Sequence, residues 1–361
     1  MEYRILPHGG EKISAIGLGS GSLTGTKEEI VSLLNLTIDN GINYFDLAPS
    51  EQAPFFAYAD AFSGRREQII TQMHFGAVYA NGTYGWTRDL TKIKEQFQWT
   101  LGLLKTDYTD MGFIHCVDDE DDLDAVMQNG LWDYMKGLKQ AGIIRHLGFS
   151  SHNPAIARRI LETGLVDLFM FSINPAYDCQ KGIYGVGETA ERTALYQDCA
   201  DMGVGISVMK PFGGGRLLDA SLSPFQHALT KNQCLQYALA RPGVLTVLPG
   251  VRNKKDLLDA LTYFQAENGD DFLPDGFDTQ GLDGTCVYCN HCQPCPAGLN
   301  VGLINKYYDL AVAGDILAAG HYQKLNLHAG DCIRCGHCEA RCPFHVKQEE
   351  RMQEIARYFK Q

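Results

Sequence analysis

The sequence predicts an α/β chain: a (β/α)8 TIM barrel over residues 1–265, then a small helical domain rich in cysteine over 266–361. Two observations predict it. Short apolar runs alternate with amphipathic segments through the first part, and eight of the twelve cysteines crowd into two segments near the end. Alternating strand and helix signals imply parallel strands with crossover helices, and eight such units close most economically into a barrel.

The strand-like runs are 13–19, 42–48, 68–74, 110–115, 145–151, 166–174, 205–211 and 245–251. Helical patterns between them include 27–39, 89–104, 123–140, 154–162, 190–202 and 254–264. Gly41, Gly142 and Gly203 each follow a helical pattern and precede a strand, as a helix C-terminal stop requires. In such barrels chemistry sits at the C-terminal strand ends. That selects Asp46, Glu51, Gln72, His74, His115, Ser150–Asn153, Asn174, Lys210 and the loop Gly213, Gly214, Gly215.

With 361 residues, 45% hydrophobic and 20% charged, the chain has the composition of a globular protein. A formal charge of −12 argues against nucleic-acid or anionic-membrane partners, which need a positive field. The opening MEYRILPHGGEKIS lacks a signal-peptide pattern and no apolar run is long enough to span a bilayer, so a cytoplasmic location is expected.

The second cysteine segment reads Cys332-Ile-Arg-Cys335-Gly-His-Cys338-Glu-Ala-Arg-Cys342-Pro343. This is the ferredoxin run in which three closely spaced thiolates hold one four-iron cluster and the fourth, before proline, ligates another. The first segment, Cys286-Val-Tyr-Cys289-Asn-His-Cys292-Gln-Pro-Cys295-Pro296, is one residue shorter in its last gap. The exchange rule assigns one [4Fe-4S] cluster to Cys286, Cys289, Cys292 and Cys342. The other falls to Cys332, Cys335, Cys338 and Cys295. Zinc ribbons are not spaced this way. His328, Tyr288 and Arg334, close to the cysteines in sequence, are the candidates for tuning cluster potential through hydrogen bonds or charge.

Upstream, the residues Arg4-Ile-Leu-Pro, Ile13 to Gly19, Gly41-Ile-Asn-Tyr-Phe-Asp-Leu-Ala-Pro-Ser50, Phe113-Ile-His115, Leu147 to Ser151, Met209 to Leu217 and Leu248-Pro-Gly250 occur in characteristic order. Together with the cysteine segments, the chain resembles the bacterial aldo-keto reductases that carry a C-terminal ferredoxin-like domain. The resemblance implies a hairpin plugging the barrel bottom. It also implies NADP(H)-dependent carbonyl reduction by an aspartate, a tyrosine five positions later, a lysine on the third strand and a histidine on the fourth. Asp46 and His115 match. The tyrosine position is Glu51 and the lysine position is Gln72.

A carboxyl at residue 51 beside Asp46 is expected to have a raised pKa and to act as general acid/base with His115 or His74. Tyr58, on the following helix, and Tyr44, expected to face away from Asp46, are the substitute tyrosines. Cys116 reads as a packed small residue. By resemblance, Ser150, Ser151 and Asn174 hold the nicotinamide, although Met170 stands where a glutamine is expected. Lys210, Gly213 to Arg216, Gly250, Arg252 and Lys254, with Lys255, line the phosphate side.

The reading that follows is an iron–sulfur oxidoreductase with two clusters, acting on a small carbonyl or hydroxyl substrate by an altered mechanism, with a ferredoxin or flavoprotein as electron partner. Two others stand beside it: a non-redox lyase or isomerase with structural clusters, and an electron carrier or redox sensor without turnover.

Overall fold

The computed structural model describes all residues except 80–81, 179–188, 226, 266–283, 287, 289–291, 343 and 361. The expected domain boundary and the predicted ligand Cys289 therefore lie outside, or at the edge of, the described residues.

Eight parallel strands form one sheet in sequential order: β1 (Leu18–Gly19), β2 (Tyr44–Asp46), β3 (Ile70–Phe75), β4 (Thr109–Ile114), β5 (Ile144–Ser150), β6 (Leu168–Ser172), β7 (Gly205–Met209) and β8 (Val244–Val247). Parallel bridges Ile16–Val247 and Gly19–Gly250 join the last strand to the first, closing the barrel. All eight expected strands are present. The hairpin Tyr3–Ile5/Lys12–Ser14 covers the bottom, where the Arg4 guanidinium donates to the carbonyls of Leu239 (2.8 Å) and Val244 (2.7 Å).

The helices are α1 (Lys27–Asp39), α2 (Ala53–Ala61), α3 (Leu90–Leu104), α4 (Glu120–Gln128), α5 (Leu131–Gln140), α6 (Pro154–Leu161), α7 (Thr189–Asp201), α8 (Lys231–Leu239) and α9 (Lys254–Leu261). The pattern over 123–140 predicts a single helix. It is two, because Gly130 takes φ 84° between them and Asp119 caps the first by accepting from the Asp122 amide.

After the barrel come α10 (Val301–Val312), α11 (Ala318–Gln323), α12 (His337–Ala340) and α13 (Gln348–Tyr358). Their shared core includes Val301, Ile304, Tyr307, Leu310, Tyr322, Met352 and Ile355, and it packs against Cys292, Cys295, Cys332 and Cys338. Among the described residues no helix is long and apolar enough to cross a membrane.

This second unit sits on the barrel mouth. Gly214, at φ 71°, has Leu310 of α10 2.6 Å from where a Cβ would lie, and Gly320 of α11 likewise has the Tyr84 ring 2.6 Å away. Lys210 pairs with Asp315 at 3.5 Å and Arg216 with Asp309 at 3.6 Å. A Gly214→Ala substitution combines positive-φ strain with that overlap. It should cost about 1–3 kcal/mol and loosen the seam first, seen as a lower Tm and faster proteolysis between the two units; an unchanged Tm contradicts this packing.

Candidate active site

Side chains two apart on a strand share a face, so Tyr44 and Asp46 on β2, and Gln72 and His74 on β3, all point into the barrel. The expectation that Tyr44 faces away from Asp46 is therefore wrong: its hydroxyl donates to Gln72 Oε1 inside the barrel. Gln72 Nε2 lies 3.1 Å from Asp46 Oδ1 and 2.7 Å from His74 Nε2. Thus Gln72 orients the carboxylate from the position expected of a lysine.

Asp46, His74, His115 and Tyr84 form a continuous line. His74 Nε2 is 2.8 Å from Asp46 Oδ1, His74 Nδ1 is 2.9 Å from His115 Nδ1, and His115 Nε2 is 2.6 Å from the Tyr84 hydroxyl. With Asp46 ionised, the directions follow. His74 donates through Nε2 to Asp46 and accepts at Nδ1 from His115, which accepts at Nε2 from Tyr84. Burial, then the neighbouring His74 and His321, hold the His115 pKa well below its usual value. Burial raises that of Tyr84 well above the phenol range, so His115 and Tyr84 stay uncharged near neutral pH.

Tyr84 was not legible as a site residue. It sits between Ala77–Val78 and Gly85–Trp86, two short antiparallel strands that extend β3 outward, and nothing in its spacing from His115 marks it. Glu51, the expected acid, is elsewhere: its backbone bridges Thr83 at the loop rim, and among the described residues no hydrogen bond or ion pair joins it to Asp46, His74 or His115. Tyr58 is spent on Ser20 Oγ at 2.5 Å, inside the packing of α2.

The opposite wall joins both units of the fold. Cys116, at φ 50°, is buried, with Sγ 3.3 Å from Asp118 Oδ2, 3.7 Å from His321 Nδ1 and 3.8 Å from His152 Nδ1. Lys324 Nζ donates to Cys116 O (3.0 Å) and Sγ (3.3 Å) and pairs with Asp118 Oδ2 at 3.5 Å. His152 Nδ1 is 3.0 Å from Asp118 Oδ2. Burial opposes the charges on Lys324 and Asp118, but their mutual attraction, with the His152 hydrogen bonds to Asp118, outweighs it, raising the one pKa and lowering the other. Burial and Asp118 push the Cys116 thiol up to about 12, and burial pushes His152 down to about 3. The group is a neutral thiol and neutral imidazoles around one ion pair.

Between the two walls lies a cavity of about 260 Å³. Of the expected nucleotide contacts, Ser150, Lys210, Gly214, Gly215, Gly250 and Arg252 line it, as do Asp46, His74 and His115. The others do not. Ser151 Oγ bonds Asp118 Oδ1 (3.3 Å) and the Asn153 carbonyl (3.2 Å). Asn174 donates to the Lys210 carbonyl at 3.0 Å. Gly213 serves the turn at φ 59°, and Lys254 is exposed at the start of α9. Arg216 reaches away, to Tyr288 and Asp309. Lys210 Nζ is buried with no hydrogen bond, at salt-bridge distance from Asp315.

In the cysteine region, Cys286 packs with Cys342, while Cys295 shares a core with Cys332 and Cys338. Cys292 falls in that same core. Among the described residues, Cys116, Cys199, Cys234, Cys286, Cys295, Cys332, Cys335, Cys338 and Cys342 form no disulfide. Arg334, at φ 53°, and Gly336, at φ 69°, bend the chain between Cys332 and Cys338. Such a turn lets successive thiols face one centre.

Residues 15–233 match the model of the aldo/keto reductase family. The chain belongs to that family. Residues 285–347 match a 4Fe-4S dicluster domain, so this member carries iron–sulfur clusters. Among curated relatives, the uncharacterized oxidoreductase YqkF of Bacillus subtilis is 34% identical over 167 residues, covering 44% of this chain and 52% of the relative. Aldo-keto reductase YhdN of the same organism is 26% identical over 161 residues, covering 42% and 47%. The chain spans about half the length of the curated relatives it matches. Of solved structures, the holo form of aldo-keto reductase AKR11C1 from Bacillus halodurans aligns with a TM-score of 0.59 at 23% identity, over 74% of this chain and 92% of that one. The apo form gives 0.56 at 22% identity, over 74% and 91%. These likenesses support the fold.

The mouth is rich in buried histidine. His115, His152 and His321 all have lowered pKa values, in each case chiefly by burial. Below pH ~6.5 the unfolded chain binds protons these sites refuse, so each removes roughly 1.4 kcal/mol of stability per pH unit. His146 opposes one of them: burial lowers its pKa, but its pairing with the Asp167 and Glu11 carboxylates outweighs burial and raises it, a contribution present below that pH. The net effect is destabilising, and the Tm should fall by several degrees between pH 7 and pH 5.5. A flat Tm over that range contradicts neutral burial.

Proposed function

We propose that the chain is an iron–sulfur oxidoreductase that interconverts a small carbonyl compound and its alcohol in the barrel cavity, with NADP(H) bound along the same cavity. The observation that carries this reading is the line Asp46–His74–His115–Tyr84, whose first three members border the cavity. Ser150, Lys210, Gly214, Gly215, Gly250 and Arg252 suit a dinucleotide: a buried lysine that faces Asp315 but makes no hydrogen bond, and two glycines without Cβ atoms, offer charge and room for phosphates. When bound, the nucleotide supplies a hydride and the clusters supply single electrons.

The two-domain division at residue 265 and the two clusters belong to the same proposal. Cys286, Cys289, Cys292 and Cys342 would hold one, and Cys295, Cys332, Cys335 and Cys338 the other, which fits the packing of Cys286 with Cys342 and of Cys295 with Cys332 and Cys338. Clustered cysteines such as Cys332, Cys335 and Cys338, without disulfides among the described residues, suit a reducing, cytoplasmic setting. Cys335 is exposed beside Ile333, 62% exposed, where a ferredoxin or flavoprotein could approach. His321 lies near-parallel to both His115 and Tyr307, with ring centres 6.1 and 5.7 Å away. Tyr307 belongs to the core that packs the cysteines. This ring-to-ring continuity favours clusters in electronic contact with the site over clusters that only hold a domain together.

Reduction of a carbonyl leaves an alkoxide oxygen that takes a proton. The protein's line of hydrogen bonds provides it: the alkoxide takes the His74 Nε2 proton, His74 Nδ1 takes the proton of His115 Nδ1, and His115 Nε2 takes that of Tyr84, whose phenolate regains a proton from water before the next turnover. Gln72 holds the Asp46 carboxylate beside the donating His74. Removing the outer donor breaks the transfer without emptying the cavity. Tyr84→Phe should lower kcat for aldehyde reduction by about 10²-fold or more, with little change in KM, whether NADPH or reduced viologen donates the electrons. Full kcat in Tyr84→Phe sinks the relay.

A further inference from the structure

His321 comes from α11 of the cluster-bearing unit, yet it borders the barrel cavity and is only 6% exposed. Its ring is fixed on three sides. It stacks on His115 at an interplanar angle of 27° and on Tyr307 at 22°, and its Nδ1 lies 3.7 Å from Cys116 Sγ. That sulfur is itself held: its thiol faces Asp118 Oδ2 at 3.3 Å, and the Lys324 ammonium approaches at 3.3 Å. With the thiol hydrogen directed to the carboxylate, the sulfur acts as acceptor, so the His321 hydrogen belongs on Nδ1 and Nε2 keeps its lone pair. Among the described residues no hydrogen bond to His321 Nε2 is formed.

We infer that His321 is a specificity residue whose Nε2 accepts a hydrogen bond from a hydroxyl on the substrate, next to the carbon that reacts. The substrate class is then a hydroxy-aldehyde or hydroxy-ketone, and the corresponding product a vicinal diol. The inference rests on the carbonyl-reduction reading above, because His321 stacks on His115, a member of the line that supplies the proton. It also makes the barrel site incomplete without the cluster-bearing unit. The rest of the wall has a reason in these terms: Cys116, Asp118, His152 and Lys324 fix the tautomer and tilt of one ring, much as outer groups fix a metal-bound histidine.

A rival occupant of this wall is a divalent cation, since Cys116, Asp118 and His152 present donor atoms within 4.8 Å of one another. Lys324 argues against it. Its ammonium already lies within 3.5 Å of both the sulfur and the carboxylate, so the carboxylate has its counter-charge.

The test compares glycolaldehyde with acetaldehyde, which differ by one hydroxyl, using the anaerobically prepared full chain with its clusters and a single electron donor. A site that hydrogen-bonds a hydroxyl discriminates against the analogue lacking it. The wild type should favour glycolaldehyde by about 10-fold or more in kcat/KM. His321→Phe should collapse the ratio to within about 2-fold, mainly through KM for glycolaldehyde, and His321→Gln, which retains an acceptor oxygen, should restore part of it. An unchanged ratio in His321→Phe overturns the inference, as does a wild type without preference. If the wild type reduces neither aldehyde, the carbonyl-reduction reading fails. Saturation-transfer NMR with glycerol and 1-propanol then decides the hydroxyl contact. Contact to glycerol that is lost in His321→Phe supports it, and equal contact to both alcohols overturns it. One tightly held zinc per chain, lost in Cys116→Ser, also overturns it, since the wall would then be a metal site.

Discussion

One buried ion pair, Lys324 with Asp118, holds the architecture of the site together. The lysine arrives on the segment just after α11, the aspartate belongs to the loop after β4, and both are almost fully removed from water. A buried charge stripped of its partner is strongly destabilising, so each unit of the fold depends on the other for neutrality at this seam. Around the pair, Cys116, His152 and His321 are forced into neutral forms by the same loss of solvent. The seam is thus polar in composition but nearly uncharged outward.

That arrangement changes what the family scaffold can do. Where the resemblance expects a tyrosine and a lysine stand Glu51 and Gln72, and among the described residues no hydrogen bond or ion pair joins Glu51 to Asp46, His74 or His115. Tyr84 approaches His115 from the far side instead, wedged against Gly320 of α11. The phenol is therefore held in place by the cluster-bearing unit. Likewise the glycine loop after β7 divides its work: Gly214 and Gly215 border the cavity, while Arg216 turns outward to Tyr288 and Asp309, tying the loop to the cysteine region.

Much of this was readable from the residues alone, for physical reasons. Strand and helix periods are local, so all eight strands and most helices could be traced, and cluster cysteines betray themselves by short spacing. Asp46 and His115 sit at strand ends, where position follows from the barrel. The failures share a cause. Tyr84, His321 and Lys324 meet through docking between distant segments, and no spacing encodes that. Glu51 was misread because adjacency in sequence to Asp46 suggested adjacency in space, whereas its backbone pairs with Thr83 at the rim. The error over Tyr44 was one of parity: two residues along a strand return to the same face.

The central claim is that the barrel cavity and the clusters form one functional unit across this seam. If so, occupying the cavity must change the energetics of cluster reduction, and by linkage cluster reduction must change affinity at the cavity. The direct measurement is an anaerobic spectroelectrochemical titration of the clusters with and without saturating NADP⁺, with nucleotide binding checked by equilibrium dialysis. The account predicts a displaced midpoint potential for at least one cluster when the nucleotide is bound. Bound nucleotide with identical potentials would contradict it.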